Sequence, residues 1–235
     1  MADGCVLDGR TPNSQRAIYL GLSLIDSEHL RSFQSFIGSR KKLSYSHCEP
    51  SAPAVSLSIT SDRIANALIS FGVAPRKSKT AKVHKLENNR HFWRGVIDGD
   101  GSLILCTHGK KLYATLQLVG SYTLLAQFLA FCKTIHPTCA VHVTPHKGIY
   151  KVAFLGCYVR KIIHTLYGNC SVALPRKLRK AEEIINLPVL HQIYKSKCVH
   201  CSHPPAPNRK HCEQCLEIYR KSSKRHTQRQ SPSPG

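Results

Sequence analysis

The stretch HFWRGVIDGDGSLIL (residues 91–105) changes character at its midpoint. Phe92, Trp93, Val96 and Ile97 recur at helical spacing, whereas residues 102–105 read as a strand. Asp98, Asp100 and Gly101 therefore sit where a helix gives way to a strand. Gly95 and Gly99, four apart, share one helical face and remove side chains where a second backbone can come close. Taken alone, DGDG is also an ordinary turn, because Asp and Gly dominate turns for conformational reasons. The remainder of the chain has to choose between the two.

Its 235 residues, 42% of them hydrophobic, suffice for one or two domains with a real core. Lys and Arg number 34 against 13 acids, a net charge of +21, which favours a polyanionic partner, nucleic acid before an anionic membrane. No apolar run approaches the roughly 18 to 20 residues that a bilayer span needs, and no signal-peptide pattern opens the chain. The expectation is a soluble protein that is not secreted and that works in a reducing, nucleic-acid-containing compartment, cytoplasmic or organellar. Eleven cysteines fit that setting. Cys5, Cys48, Cys106, Cys132, Cys139, Cys157 and Cys170 fall in or beside apolar runs and read as small core residues, not as disulfides or nucleophiles.

From the start, MADGCVL reproduces the acid–glycine–strand order of residues 99–105, with Asp3 in the place of Asp100. A half-buried strand follows over residues 17–24, where Ile18, Leu20, Leu22 and Leu24 alternate with Ala17, Tyr19, Gly21 and Ser23. Asp26 is a suitable N-cap for a helix that turns Leu30, Phe33, Phe36 and Ile37 inward and closes near Gly38. Strands are expected over 41–46 and 55–60, then a helix capped by Ser61 or Asp62 with Ile64, Leu68 and Ile69 inward, ending at Phe71 and Gly72. The basic run VAPRKSKT (73–80) leads to the opening stretch, after which the order returns: strand 111–118, helix 122–133, strands 140–146 and 149–155, helix 158–167 and a closing helix in LPRKLRKAEEII. Asp3 and Asp100 lie 97 residues apart, and Lys77 and Lys177, within VAPRK and ALPRK, lie 100 apart. Two anchors at nearly one offset define an internal duplication, and copies this long suggest a pseudo-two-fold body, not a solenoid.

The duplicated acid makes sense as a metal site. If two such helices pack side by side through their small residues, Asp3 and Asp100 meet at one end, and paired carboxylates are costly to keep ionised without a cation. Mg2+ suits them, being hard, partly hydrated and commonly shared with phosphate oxygens; it orients water for in-line attack on phosphorus. Lys77 and Lys177 then either stabilise charge beside the attacking water or simply contact phosphate. The strands leave polar faces that include Tyr19, Ser23, Lys111, Tyr113, Thr115, Gln117, His142, Thr144 and Lys151, a basic saddle able to reach base edges in a groove, or a solvated sheet face. Arg76 and Arg176 add charge beside the two lysines.

Composition shifts after residue 187. Cys198, Cys201, Cys212 and Cys215 form C-x2-C-x10-C-x2-C around a loop with Pro204, Pro205, Pro207 and Asn208, the pattern of a zinc ribbon. So small a segment would draw its folding energy from structural Zn2+, and Lys210, Arg220, Lys221, Lys224 and Arg225 would make it an accessory DNA clamp. Domains are expected at 1–85, 86–194 and 195–235.

FWRGVIDGDGSL, SLIDSEHL and the two PRK segments together resemble the LAGLIDADG homing endonucleases, over roughly residues 1–187. The resemblance implies an α+β fold of tandem αββαββα repeats with pseudo-two-fold symmetry, a DNA-binding β-saddle, a monomer, and Mg2+-dependent cleavage of both strands of a long double-stranded DNA target, as for an enzyme of a mobile intron. It makes Asp3 and Asp100 the metal-binding acids, Lys177 the basic residue near the scissile phosphates and Lys77 its mate, and it places Asp26 and Ser121 where polar groups organise active-site water. The first repeat departs from the pattern: MADG keeps the acid without the apolar helix before it, so the first helix is truncated, either by a start upstream of Met1 or by decay to an inactive copy. The rival readings are a non-cleaving binder, an intron RNA maturase or a DNA-binding regulator. An acid near phosphate weakens pure binding, which argues against them, and a chain ending QSPSPG lacks the splice junction of an intein.

Overall fold

In the computed structural model, the described residues are 4–8, 14–47, 52–73, 80–108 and 111–187, together with 201, 203, 206 and 211–218. Two compact units divide the chain, residues 1–186 and 187–235. No helix among the described residues is long and apolar enough to cross a membrane.

The larger unit repeats one α+β plan. Its first half runs β1 (Gly4–Leu7), β2 (Ala17–Ser23), a 3-10 turn Leu24–Asp26, α1 (Ser27–Phe36), β3 (Ser44–Ser46), β4 (Ala54–Thr60) and α2 (Asp62–Ser70). The second runs α3 (Arg90–Asp100), β5 (Gly101–His108), β6 (Lys111–Gly120), α4 (Tyr122–Ile135), β7 (Thr144–His146), β8 (Ile149–Leu155), α5 (Cys157–Tyr167) and α6 (Pro175–Ile185). Each half folds into a four-stranded antiparallel sheet, ordered β1-β2-β4-β3 and β5-β6-β8-β7. The duplication inferred from two offsets thus reappears strand by strand.

Alternation sets the faces. In β6, Ala114, Leu116 and Leu118 are buried, as are Phe128 and Leu125 of α4, Phe154 of β8 and Ile162 and Leu166 of α5 in the second half. Trp93 of α3 anchors this core: it is fully buried, its ring lies 5.1 Å from Phe128 and 6.1 Å from Phe131, and its indole N–H donates to the Glu87 carbonyl at 2.6 Å. The first half has two smaller clusters, Leu30 with Val55 and Leu57, and Val6 with Ile18, Ala65 and Val73.

Several local expectations need correction. Asp26 makes no side-chain cap to α1; its carboxylate is taken by a distant arginine, described below. Phe36 points to solvent at 86% exposed, because the cluster beneath α1 is closed by Phe33 and Ile37, and Ile69 is 39% exposed. Strands β3 and β7 are three residues each, much shorter than 41–46 and 140–146, since each pairs only with the end of its neighbour. Ser61 caps α2, its hydroxyl accepting from Ile64 N at 3.3 Å, and Gly38 and Gly72 close α1 and α2 with φ of +64° and +94°. Of the cysteines read as core, Cys132 and Cys139 are buried, Cys5, Cys106 and Cys170 are half-buried, and all five are free; Cys48 and the side chain of Cys157 lie outside what is described.

Residues 80–89 join the halves and are fastened by side chains. Ser121 caps α4 through Leu124 N at 3.2 Å while its hydroxyl donates to the Ala81 carbonyl. Gln127 pairs with Val83 as a neighbouring strand would, accepting from its N–H at 2.9 Å and donating to its carbonyl at 3.0 Å.

Candidate functional site

The end of α3 gathers the chemistry. Asn89 starts the helix, its side chain accepting from His91 N at 2.9 Å and Phe92 N at 3.1 Å. Trp93, Val96 and Ile97 are buried in the core, and Asp100, on the last turn where the helix ends, is exposed. Gly101 then opens β5; a Cβ there would lie 2.6 Å from the Ile97 carbonyl oxygen, so the reversal from helix to strand tolerates no side chain. Lys177, in the first turn of α6, is only 7% exposed, and its Nζ donates to the Gly101 carbonyl. Lys177, 77 positions after Asp100, thus bonds to the residue that follows that acid in the chain. Asp3, Lys77 and Arg76 lie outside the described residues, as does Cys198.

Behind Asp100 is a buried network. Asp98 is 8% exposed; its Oδ1 accepts the Tyr167 hydroxyl at 2.6 Å and its Oδ2 accepts Leu174 N–H at 3.0 Å. Burial raises its carboxyl above the usual value; the two hydrogen bonds, His29 and Arg94 pull the other way without reversing the shift. Burial also pushes the Tyr167 phenol up, and the neighbouring Asp98 charge adds to that. Arg94 is itself buried and its Nη1 reaches the Leu166 carbonyl at 3.2 Å and His91 Nδ1 at 3.0 Å, placing a cation at the C-terminal end of α5. No sequence pattern marks Asp98–Tyr167 or Asp98–Leu174 as partners, because contacts across 69 and 76 residues leave no local periodicity.

The face of Gly95 expected to meet another helix is open: nothing among the described residues lies within 4 Å of a Cβ built there. Where the first half approaches the second, Arg176 Nε binds both carboxylate oxygens of Asp26, at 3.2 and 3.0 Å. Asp26 is 5% exposed, and the pair lines an open cleft with Gly21, Ser23 and Pro53. Asp26 and Ser121, each just before the helix that follows the second strand of its half, are thus bound from elsewhere in the chain, Asp26 by Arg176 of the second half and Ser121 by Ala81 of the joining segment.

The outer strand faces carry most of the expected binding residues. Tyr19 (39% exposed) and Ser23 lie on β2, across from Ser58 and Ala54. On the second, Tyr113 and Gln117 are half-buried, while Thr115 is buried between its register partners Ile104 and Leu155, themselves 38% and 54% exposed. His142 and Thr144 are exposed and Lys151 half-buried; Thr144 spends its hydroxyl proton on the Lys151 carbonyl at 3.2 Å. Lys111 belongs to β6, paired with His108.

In the smaller unit, the Cys201, Cys212 and Cys215 sulfurs lie within 4.8 Å of one another, with Cys201 at 3.4 Å from Cys212 and 3.8 Å from Cys215. These separations are too long for a disulfide and close to the edge of a tetrahedron with metal–sulfur bonds of about 2.3 Å, which is about 3.8 Å. No other group of three or more potential metal ligands occurs among the described residues.

No family model and no curated protein matches this chain. Solved structures do share its fold, and they are LAGLIDADG homing endonucleases. The enzyme I-GzeII in complex with its DNA target is 12% identical with a TM-score of 0.53, over 78% of this chain and 85% of that one. I-SmaMI bound to cleaved DNA is 9% identical with a TM-score of 0.54, over 78% and 84%, and I-LtrWI bound to target DNA is 11% identical with a TM-score of 0.50, over 78% and 85%.

Proposed function

We propose that the chain is a site-specific double-strand DNA endonuclease that hydrolyses phosphodiester bonds with Mg2+. The observation that carries this reading is the convergence of exposed Asp100 and buried Lys177 on Gly101, in a fold whose solved neighbours are homing endonucleases bound to DNA. A carboxylate on the last turn of a helix adds its charge to the negative end of the helix dipole, and such a place suits a hard cation. Asp100 and Asp3 would hold Mg2+, which when bound activates water and offsets charge on the leaving oxygen. Lys177 fixes the Gly101 peptide and brings a cation beside the acid, and Lys77 is its counterpart in the first half. Tyr19, Ser23, Tyr113, Gln117, His142, Thr144 and Lys151 supply the DNA-facing surface with Lys111, Arg76 and Arg176. Cys198 with Cys201, Cys212 and Cys215 would hold a structural Zn2+, making residues 195–235 a second, basic contact with DNA.

Incubating the full chain with a randomised duplex library and Mg2+, then sequencing the ends produced, tests the reading. Recurrent cuts in both strands within one sequence context support it. Retention of particular duplexes without cuts would replace it with a DNA-binding regulator.

A further inference from the structure

The geometry points to Asp98 as a positioning residue of this site: its buried carboxylate fixes the entry of α6 and so holds Lys177 on the Gly101 peptide next to Asp100. The inference rests on the endonuclease reading for its catalytic consequence.

An aspartate on the final turn of α3 is at the unfavourable end of the helix dipole, and removing it from water costs free energy unless its oxygens are bonded. Asp98 is buried nonetheless, and both oxygens are engaged, by the Tyr167 hydroxyl at 2.6 Å and Leu174 N–H at 3.0 Å. An apolar side chain would fill such a place at less cost, so the gain lies in what the acid holds. Leu174 is the N-cap of α6 and has no side-chain cap of its own. Its carbonyl accepts the first two helical bonds, from Lys177 N and Leu178 N at 2.9 Å each. The peptide group entering Leu174 is therefore gripped by Asp98 while its carbonyl is gripped by the helix. Pro175 at the first helical position fixes φ there.

Three residues on, Lys177 reaches back to Gly101, three residues beyond Asp98. Two points on α6, 174 and 177, thus clasp two points on the α3–β5 junction, 98 and 101, with Asp100 between them. The two contacts fix the first turn of α6 against the α3–β5 junction at two points. Ala181 and Ile184 continue the same buried face and carry the body of the helix.

The test compares wild type with Asp98→Ala, Asp98→Asn and the double variant Asp98→Leu/Tyr167→Phe. The double variant replaces both partners of one buried hydrogen bond with apolar groups and so is expected to fold even where alanine does not. Limited acetylation of the full chain, read by mass spectrometry, follows Lys177 against exposed Lys133. In wild type Lys177 should react about tenfold or more slowly than Lys133, because the buried amine must first be released. Asp98→Ala and the double variant should raise its rate about tenfold, leaving Lys133 unchanged.

Asp98→Asn should keep Lys177 slow, since its amide oxygen still accepts from Leu174 and its NH2 can donate to the Tyr167 oxygen. Single-turnover cleavage of a duplex recovered from the randomised library should fall about 100-fold in Asp98→Ala, with DNA affinity unchanged, as expected for about 1 Å of misplacement. It should survive in Asp98→Asn, which a metal-binding or proton-transferring acid would not allow. Lys177 as slow in Asp98→Ala and the double variant as in wild type would overturn the inference. Faster Lys177 in a chain whose wild type cuts no duplex would establish the clasp and remove the endonuclease reading.

Discussion

Asp98 and Asp100 stand two residues apart on α3 and face different solvents, one buried and one exposed. That difference has a pH signature. Burial holds the Asp98 carboxyl above 3.8, so the folded protein keeps its proton more tightly than the unfolded chain does. The group therefore favours folding at acid pH, and its contribution is lost as pH rises from about 3.8 through the raised value. Urea unfolding of Asp98→Asn across that range should show the variant gaining on wild type as pH rises; a difference independent of pH would contradict the burial argument. Trp93 carries the packing of the same helix. Trp93→Ala should cost about 3 to 5 kcal/mol in the same measurement, in the range of large core truncations, and a cost below about 1 kcal/mol would mean that the aromatic cluster with Phe128 and Phe131 is not the anchor.

At the scale of the element, the turn from α3 into β5 depends on a glycine for space, not for a left-handed backbone: φ at Gly101 is −84°. Gly101→Ala drives a Cβ into the Ile97 carbonyl and should cost about 1 to 3 kcal/mol, displacing the acceptor of Lys177 as well. Thermal unfolding within error of wild type would contradict this. The elements themselves were legible wherever periodicity was strong. The alternation of residues 17–24 located β2, Ser61 ahead of Ile64 and Leu68 located α2 with its serine cap, and LPRKLRKAEEII located α6. What was hidden is what long-range contacts decide. The lengths of β3 and β7 follow from how far their neighbours extend, and Phe36 faces solvent because α1 covers a cluster only two strands wide. Asp26 reads as a cap in isolation, but Arg176, 150 residues away, takes its carboxylate instead. The turn from α3 into β5 was legible because the duplication repeats its sequence signals; the bonds of Asp98 to Tyr167 and Leu174 were not, because they join residues with no shared pattern.

For the whole molecule, charge and metal set the expectations. With a net charge of +21, affinity for duplex DNA should be dominated by phosphate contacts. Some 6 to 10 such contacts would lose roughly 10³ to 10⁵ in affinity between about 50 and 200 mM salt, and a nearly flat salt dependence would contradict a phosphate-tracking surface. Among its described residues the smaller unit buries only Ala206 and Cys212, so chelation should unfold it with release of about one zinc per chain while the 1–186 unit keeps its melting transition. A chain that binds no zinc would reduce the cysteine cluster to a packing feature. Cleavage of the randomised duplex library by wild type and Asp100→Asn, each with and without Mg2+, tests most directly whether Asp100 is the exposed acid of a Mg2+-dependent DNA endonuclease. Mg2+-dependent double-strand cuts by wild type, abolished in Asp100→Asn with DNA binding retained, are the predicted result; cuts that persist in the variant, or binding without cuts in either protein, would contradict it.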